Sequence, residues 1–375
     1  MSFATPRPAR GLRRLAVAVC GTALVAGATL TGASAIGTQS PPDPADPLAR
    51  IADRYTVVRS GLDNPRSLQI LPTGNVLVAE AGHGSRTDAG CTERGCAGRT
   101  GKVTLLTGVE SSKEATVLDR LLSTAGPDGS FATGADGASK RPGGAYVAII
   151  ARGPGRQGGK LVAPGPEGGV RVIANISRYE ENHDPDGEGV DSNPYAVLAR
   201  RGGYLVADAG GDSILHVKLD GSIRTWAVMP EYGPRVDAVP TSISRGADGY
   251  IYVGELHSDQ RGKANVLKYD RHGNLVDKIG GFTSVTGVDK SSNGSLYVSE
   301  LFGGPCGFDQ IPTCFPGRVV KVAPNGDRKY LRVPFPAGVG VRGERVLVSA
   351  FSVSPAAGFG GNPDWSGAVW RLRRF

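Results

Sequence analysis

Asn75-Val-Leu-Val-Ala-Glu80 is one of five near-copies of a single phrase in this chain. The others are Tyr204-Leu-Val-Ala-Asp208, Ile251-Tyr-Val-Gly-Glu255, Ser295-Leu-Tyr-Val-Ser-Glu300 and Arg345-Val-Leu-Val-Ser-Ala350. Each follows a glycine-containing turn, and the last four recur at intervals of roughly 45 to 50 residues. Self-similarity at that period indicates a propeller, in which every repeat is a small antiparallel sheet set around a central channel.

Working outward from the third of these phrases gives a complete blade. Pro240-Thr-Ser-Ile-Ser244 reads as a first strand, and the Asp248-Gly249 turn leads into the phrase itself. Ala264 to Tyr269 forms a third strand and Leu275 to Ile279 a fourth, joined through Arg271-His-Gly-Asn274. Asp-Gly and Asn-Gly turns need positive φ, which makes them strong hairpin signals between β-rich runs. The next blade repeats the plan with turns at Asn293-Gly294 and Asn325-Gly326, and the preceding one runs from Tyr195 to Val228. A first blade spans Pro65 to about Leu118. The second shows three strands, but its innermost one is not legible between Gly126 and Gly144. The last blade, from Ala337, has three strands, while Tyr55-Thr-Val-Val-Arg59 precedes the first as a spare. The fold class is therefore all-β, a six-bladed propeller of four-stranded antiparallel blades, closed by the N-terminal strand joining the last blade. Such closure hides a sheet edge that would otherwise invite aggregation.

Residues 1–35 read as a secretory signal peptide. Arg7, Arg10, Arg13 and Arg14 precede an apolar run from Leu15 to Leu30, and Ala33-Ser34-Ala35 offers a cleavage site. Residues 36–53 form a Pro/Asp-rich linker and 54–375 the propeller. The formal charge of +8 falls to about +4 without the four leader arginines, and no dense basic cluster remains. Nucleic acid is accordingly not an expected partner. The expected molecule is a secreted monomer with no membrane span after cleavage, by either general or twin-arginine export. Beyond Cys20, four cysteines remain, and an even count in an oxidising compartment reads as disulfides. The short spacings favour Cys91–Cys96 and Cys306–Cys314; a zinc site at the first pair lacks a second closely spaced pair.

In this topology the end of each second strand lies beside the start of each first strand. Glu80, Asp208, Glu255 and Glu300 are thus expected to ring one mouth of the channel, with His83 and His257 just beyond two of them. Three readings follow. The acids hold Ca²⁺ or another divalent metal, since hard cations take carboxylate oxygens. Alternatively, His83 or His257 acts as a general base beside that ion. In the third reading each acid is structural, accepting hydrogen bonds from the backbone of the neighbouring blade's first strand, which explains why the acid repeats with the blade. The insertion Asn182-His-Asp-Pro-Asp-Gly-Glu-Gly-Val-Asp191 also gathers acids, without the spacing or flanking helices of an EF-hand; it reads as a plain solvated loop, with a calcium loop of another type as the alternative. No nucleophile elbow, phosphate loop or zinc-protease motif is present.

Several phrases are more particular than the repeat. Gly61-Leu-Asp-Asn-Pro-Arg66, Val78-Ala-Glu-Ala-Gly82 followed by a Cys…Cys loop, and Asp191-Ser-Asn-Pro-Tyr195 followed by Leu205-Val-Ala-Asp-Ala-Gly-Gly211 occur in order. Together with Ala238-Val-Pro-Thr-Ser242 and Tyr252-Val-Gly-Glu-Leu256, they resemble the ScyD/ScyE family of secreted propellers over nearly all of residues 55–375. The resemblance implies a six-bladed fold near the NHL and gluconolactonase-like propellers, and no settled activity. The metal ligands of the gluconolactonase-like relatives have no residue-by-residue match here. Two functions lead at this point, beside a third, a periplasmic or wall-associated structural module that takes no small-molecule ligand. The first is a binding scaffold whose loop-rich face takes a carbohydrate, small molecule or protein. The alternative is a metal-dependent hydrolase or lyase acting on a lactone-like molecule at the channel.

Overall fold

Short apolar runs separated by glycine turns have one stable outcome here: strands that pair locally and then bury both faces between neighbouring sheets. The computed structural model describes residues 47–85, 87, 90–92, 95–107, 113–233 and 236–373, so the proposed leader and most of the linker lie outside the described residues. It is a six-bladed β-propeller with antiparallel sheets.

Blade 1 comprises Pro65–Ile70, Val76–Glu80, Gly95–Thr107 and Lys113–Ala125, with the short Cys91–Thr92 strand folded back on the third. Its last two strands are longer than the sequence suggested, and the blade ends at Ala125 rather than near Leu118. Blade 2 is Ala135–Lys140, Tyr146–Ile150, Lys160–Pro164 and Val170–Asn175. Blades 3 and 4 start at Pro194–Arg200 and Pro240–Arg245, and blade 5 at Val285–Lys290. Blade 6 has the strand order Tyr55–Leu62, Gly367–Leu372, Arg345–Ala350, Val339–Arg342. Tyr55 faces Leu372 across this sheet, and its ring stacks on Trp370 at 3.8 Å. Just upstream, Ala49–Arg54 forms a 3-10 helix, and Leu48 packs into the apolar cluster of blades 5 and 6.

The core is distributed, not central. A separate cluster of buried side chains fills the gap between each successive pair of blades, including one that joins Leu347 and Val369 of blade 6 to Val76 and Val78 of blade 1. Each fully buried Val or Leu there contributes about 1.5–3 kcal/mol. Nearer the axis, side-chain hydroxyls tie each inner strand to the neighbouring blade. Thr286 Oγ1 donates to Pro336 O at 2.7 Å, Ser349 Oγ donates to Arg66 O at 2.9 Å, and Ala199 N donates to Ser139 Oγ at 3.1 Å. Between blades 2 and 3 the chain makes its one α-helix among the described residues, Ile176–His183. The Asn175 side chain caps it by accepting from Arg178 N.

Candidate functional site

The register sets each second-strand acid opposite the first residue of its own inner strand: Glu80 against Pro65, Asp208 against Pro194, Glu255 against Pro240, Glu300 against Val285. All four are completely buried. A buried carboxylate needs donors. Asp63 N donates to Glu80 at 2.7 Å, Thr104 Oγ1 takes its other oxygen, and Lys102 Nζ stands 3.4 Å away. Asn193 N and Ser192 Oγ donate to Asp208 at 2.6 and 2.7 Å. Thr283 N donates to Glu300 at 2.7 Å, opposite Arg318 Nε. Glu255 instead receives Tyr232 OH at 2.6 Å and Asn265 Nδ2 at 2.7 Å.

These backbone donors lie in the segment leading into the acid's own inner strand, not in the neighbouring blade's first strand as the sequence reading had it. The physical reason is local. The chain crosses from one blade to the next over the end of the second strand, and an irregular crossing leaves N–H groups without ladder partners. The same crossing recurs in the main chain: Ala81 N to Asn64 O, Ala209 N to Asn193 O, Leu256 N to Val239 O and Leu301 N to Ser284 O, all 2.9–3.1 Å. In blade 4 the crossing is held by Asp212, which accepts from Val239 N at 2.7 Å and Ala238 N at 2.9 Å. Burial pushes Glu80 and Glu255 above the usual carboxylate range and Asp208 up to about 6, with these hydrogen bonds opposing it.

Neither histidine is open. His83 Nε2 sits 2.9 Å from Asp63 Oδ1, while Nδ1 meets Asn64 Nδ2 at 3.0 Å and Gly129 O at 3.2 Å. Burial lowers its pKa, but the Asp63 contact outweighs this and the net shift is upward. His257 is buried edge-on to Tyr232, and burial, then Lys278 and Lys263, pull its pKa down. Its Nδ1 lies 3.7 Å from Glu255 Oε2, too far for a hydrogen bond.

A second polar group was not foreseen. Arg66 of blade 1 lies 3.7 Å from Asp136 of blade 2, donates to Ala132 O, and stands close enough to Tyr195 of blade 3 to act on its hydroxyl electrostatically. Side chains from blades 1 and 3 meet only across the axis, so these residues occupy the channel. All three stand second in their inner strands, and that shared position is the signal that could have found them. Burial pushes Asp136 up to about 7, against the pull of Arg66.

Two further features lie among the loops. Both disulfides form, Cys91–Cys96 and Cys306–Cys314. Inside the second, Phe308–Gln310 makes a 3-10 turn, and Phe308 is 41% exposed while resting 5.1 Å from Phe302 and 5.9 Å from buried Phe335. The acidic insertion brings Glu180, Asp184 and Asp186 together, with ligand oxygens within 4.8 Å of one another. Among the described residues no other three acids, histidines or cysteines converge this closely, so the four strand-end acids make no such set.

No protein-family model matches the chain, and no curated protein sequence matches it. Among solved structures it is similar to a streptogramin B lyase, at 10% identity with a TM-score of 0.50, covering 85% of this chain and 96% of that one. It is also similar to XC5397, a gluconolactonase from Xanthomonas campestris, at 12% identity with a TM-score of 0.50, covering 86% and 92%. At such identities the likeness is one of fold alone. No helix among the described residues is long and apolar enough to cross a membrane.

Proposed function

We propose that this chain is an exported, ScyD/ScyE-like binding propeller that holds a carbohydrate, small molecule or protein against its loop-rich face. One observation carries the reading: Phe308, exposed on a disulfide-braced loop, sits on a bed of buried aromatic rings. An exposed ring fixed from below offers apolar contact area with little side-chain entropy left to lose on binding. The strand-end carboxylates support the same conclusion from the other side. Each is occupied by internal donors, and both histidines are engaged or buried, which leaves the lactone-hydrolase alternative without an open base beside the acids.

The test is an array of cell-wall glycans and peptides probed with the wild type and Phe308→Ser, alongside a glucono-lactone hydrolysis assay. The reading expects retention that drops by about tenfold or more in Phe308→Ser, equivalent to about 1.4 kcal/mol. The melting temperature should fall by only a few degrees, because the ring is 41% exposed and lies outside the buried clusters. Retention untouched by Phe308→Ser overturns it, as does lactone turnover that disappears in Glu255→Gln.

A further inference from the structure

The acidic insertion between blades 2 and 3 contains a carboxylate that the fold does not explain. Glu180, in the last turn of the Ile176–His183 helix, is completely buried, yet neither of its oxygens has a hydrogen-bond partner. Every strand-end acid described above is supplied with donors; this one is not. Ionised and unpartnered, a buried carboxylate costs several kcal/mol.

Its surroundings add negative charge. Asp184 and Asp186 place oxygens within 4.8 Å of it, and Asp208 and Asp191 lie close enough to act on it electrostatically. No ion pair reaches Glu180, Asp184 or Asp186 among the described residues, and the nearby Arg152 is taken by Asp191 at 3.0 Å. The loop is nevertheless ordered around its acids. Asp184 adopts a left-handed conformation (φ 42) at the helix end and accepts from Gly189 N at 3.1 Å, while Asp186 accepts from Glu188 N at 2.9 Å. Gly211 completes the wall: a Cβ there would meet Glu180 Oε2 at 2.5 Å, so only glycine leaves the carboxylate its place.

We propose that Glu180, Asp184 and Asp186 bind a calcium ion. The donors are all oxygens; the neighbouring His183 ring is stacked on Tyr179 with Nδ1 against Tyr179 O, so no nitrogen ligand enters. Ca²⁺ accepts variable geometry from carboxylate and carbonyl oxygens, whereas Mg²⁺ demands a near-ideal octahedron and dehydrates reluctantly, so an irregular loop of three carboxylates suits the larger ion. Bound there, the ion pins the helix end to the Gly210–Gly211 turn of blade 3. It thereby fixes the largest polar insertion of the loop-rich face. This site is independent of the Phe308 reading.

The experiment titrates EDTA-stripped full chain with CaCl₂ or MgCl₂, reading heat and melting temperature. The expected result is one Ca²⁺ per chain, with affinity near the extracellular range of about 10⁻⁴–10⁻³ M and Mg²⁺ at least about tenfold weaker. Melting temperature rises with calcium concentration. Glu180→Gln and the half-buried Asp186→Asn each weaken calcium about tenfold or more. In EDTA, Glu180→Gln melts no lower than the wild type, because an unpartnered carboxyl that costs free energy either to bury ionised or to protonate is gone. Absence of calcium heat and of any melt shift up to about 10 mM, an order above that range, overturns the proposal. A response equally strong in both variants overturns it too.

Discussion

Replacing Glu300 by Gln separates a structural latch from a working carboxylate. The substitution keeps shape and volume but removes charge. One amide oxygen still accepts from Thr283 N, now as a neutral bond, whereas the amide nitrogen is turned toward Arg318 Nε, a donor facing a donor. Losing the charge-assisted part of the Thr283 bond costs about 1–2 kcal/mol. The Arg318 side chain is 25% exposed, so water recovers much of its loss, and that contact adds about 1 kcal/mol. The sum, about 2–3 kcal/mol, corresponds to a fall of roughly 3–5 °C in a domain of this size. Calorimetry reads the melt, and circular dichroism confirms an unchanged sheet at 25 °C, the usual reference temperature. Glu80→Gln serves as a second case, since its carboxylate is held by Asp63 N in the same way. A melting temperature within about 1 °C of wild type would refute the reasoning, because a fold indifferent to the charge does not use it as a latch.

The raised carboxyls predict a pH dependence with a definite sign. Glu180 is pushed up to about 8 by burial and neighbouring acids, Asp136, Asp212 and Asp289 to about 7, and Asp208 to about 6, all chiefly by burial. Their unfolded values are near 4, so the native state binds more protons, and in EDTA the melting temperature should fall as pH rises from about 5 to about 8.5; a rise over that window would contradict the assignment. Val239 supplies the opposite kind of test. This β-branched residue sits at φ 55, where blade 1 has Asn64 and blade 5 has Ser284 in equivalent crossings. Val239 belongs to none of the apolar clusters, so Val239→Asn should stabilise by about 1 kcal/mol, a gain of about 1.5–2 °C, and an unchanged or lower melt would show the strain to be absent.

The second strands were legible because they are buried on both faces and follow turns that demand glycine. The inner strand of blade 2 was not, and the structure supplies the cause. Ala135-Asp-Gly-Ala-Ser-Lys140 has no aromatic or β-branched residue. At Gly137 a Cβ would meet Ile149 Cγ2 at 2.8 Å and Tyr195 O at 2.9 Å. Crowding near the axis thus selects small residues and erases the composition by which strands are recognised. The strand-end acids were equally visible, but their donors depend on how the crossing segment folds over them, which no periodicity encodes. Arg66, Asp136 and Tyr195 come one from each of three blades, so only the closed arrangement brings them together. Glu180 was hidden differently. It belongs to a helix the turn-rich insertion did not announce, one turn before the acids it joins.

The pairing of Tyr55–Leu62 with Gly367–Leu372 has a bearing on how the molecule comes into being. Its two partners are separated by about 300 residues, and joining such distant segments costs roughly 5 kcal/mol of chain entropy. Blades 1 to 5 can each zip up from local hairpins as the chain emerges, but in the sixth the outermost strand, made first, has no neighbour until Gly367–Leu372 at the chain's end is free. Assembly of this seam is therefore the last and least local event. A polypeptide still held at its C-terminus should therefore stay an open arc, with the ring closing only on release.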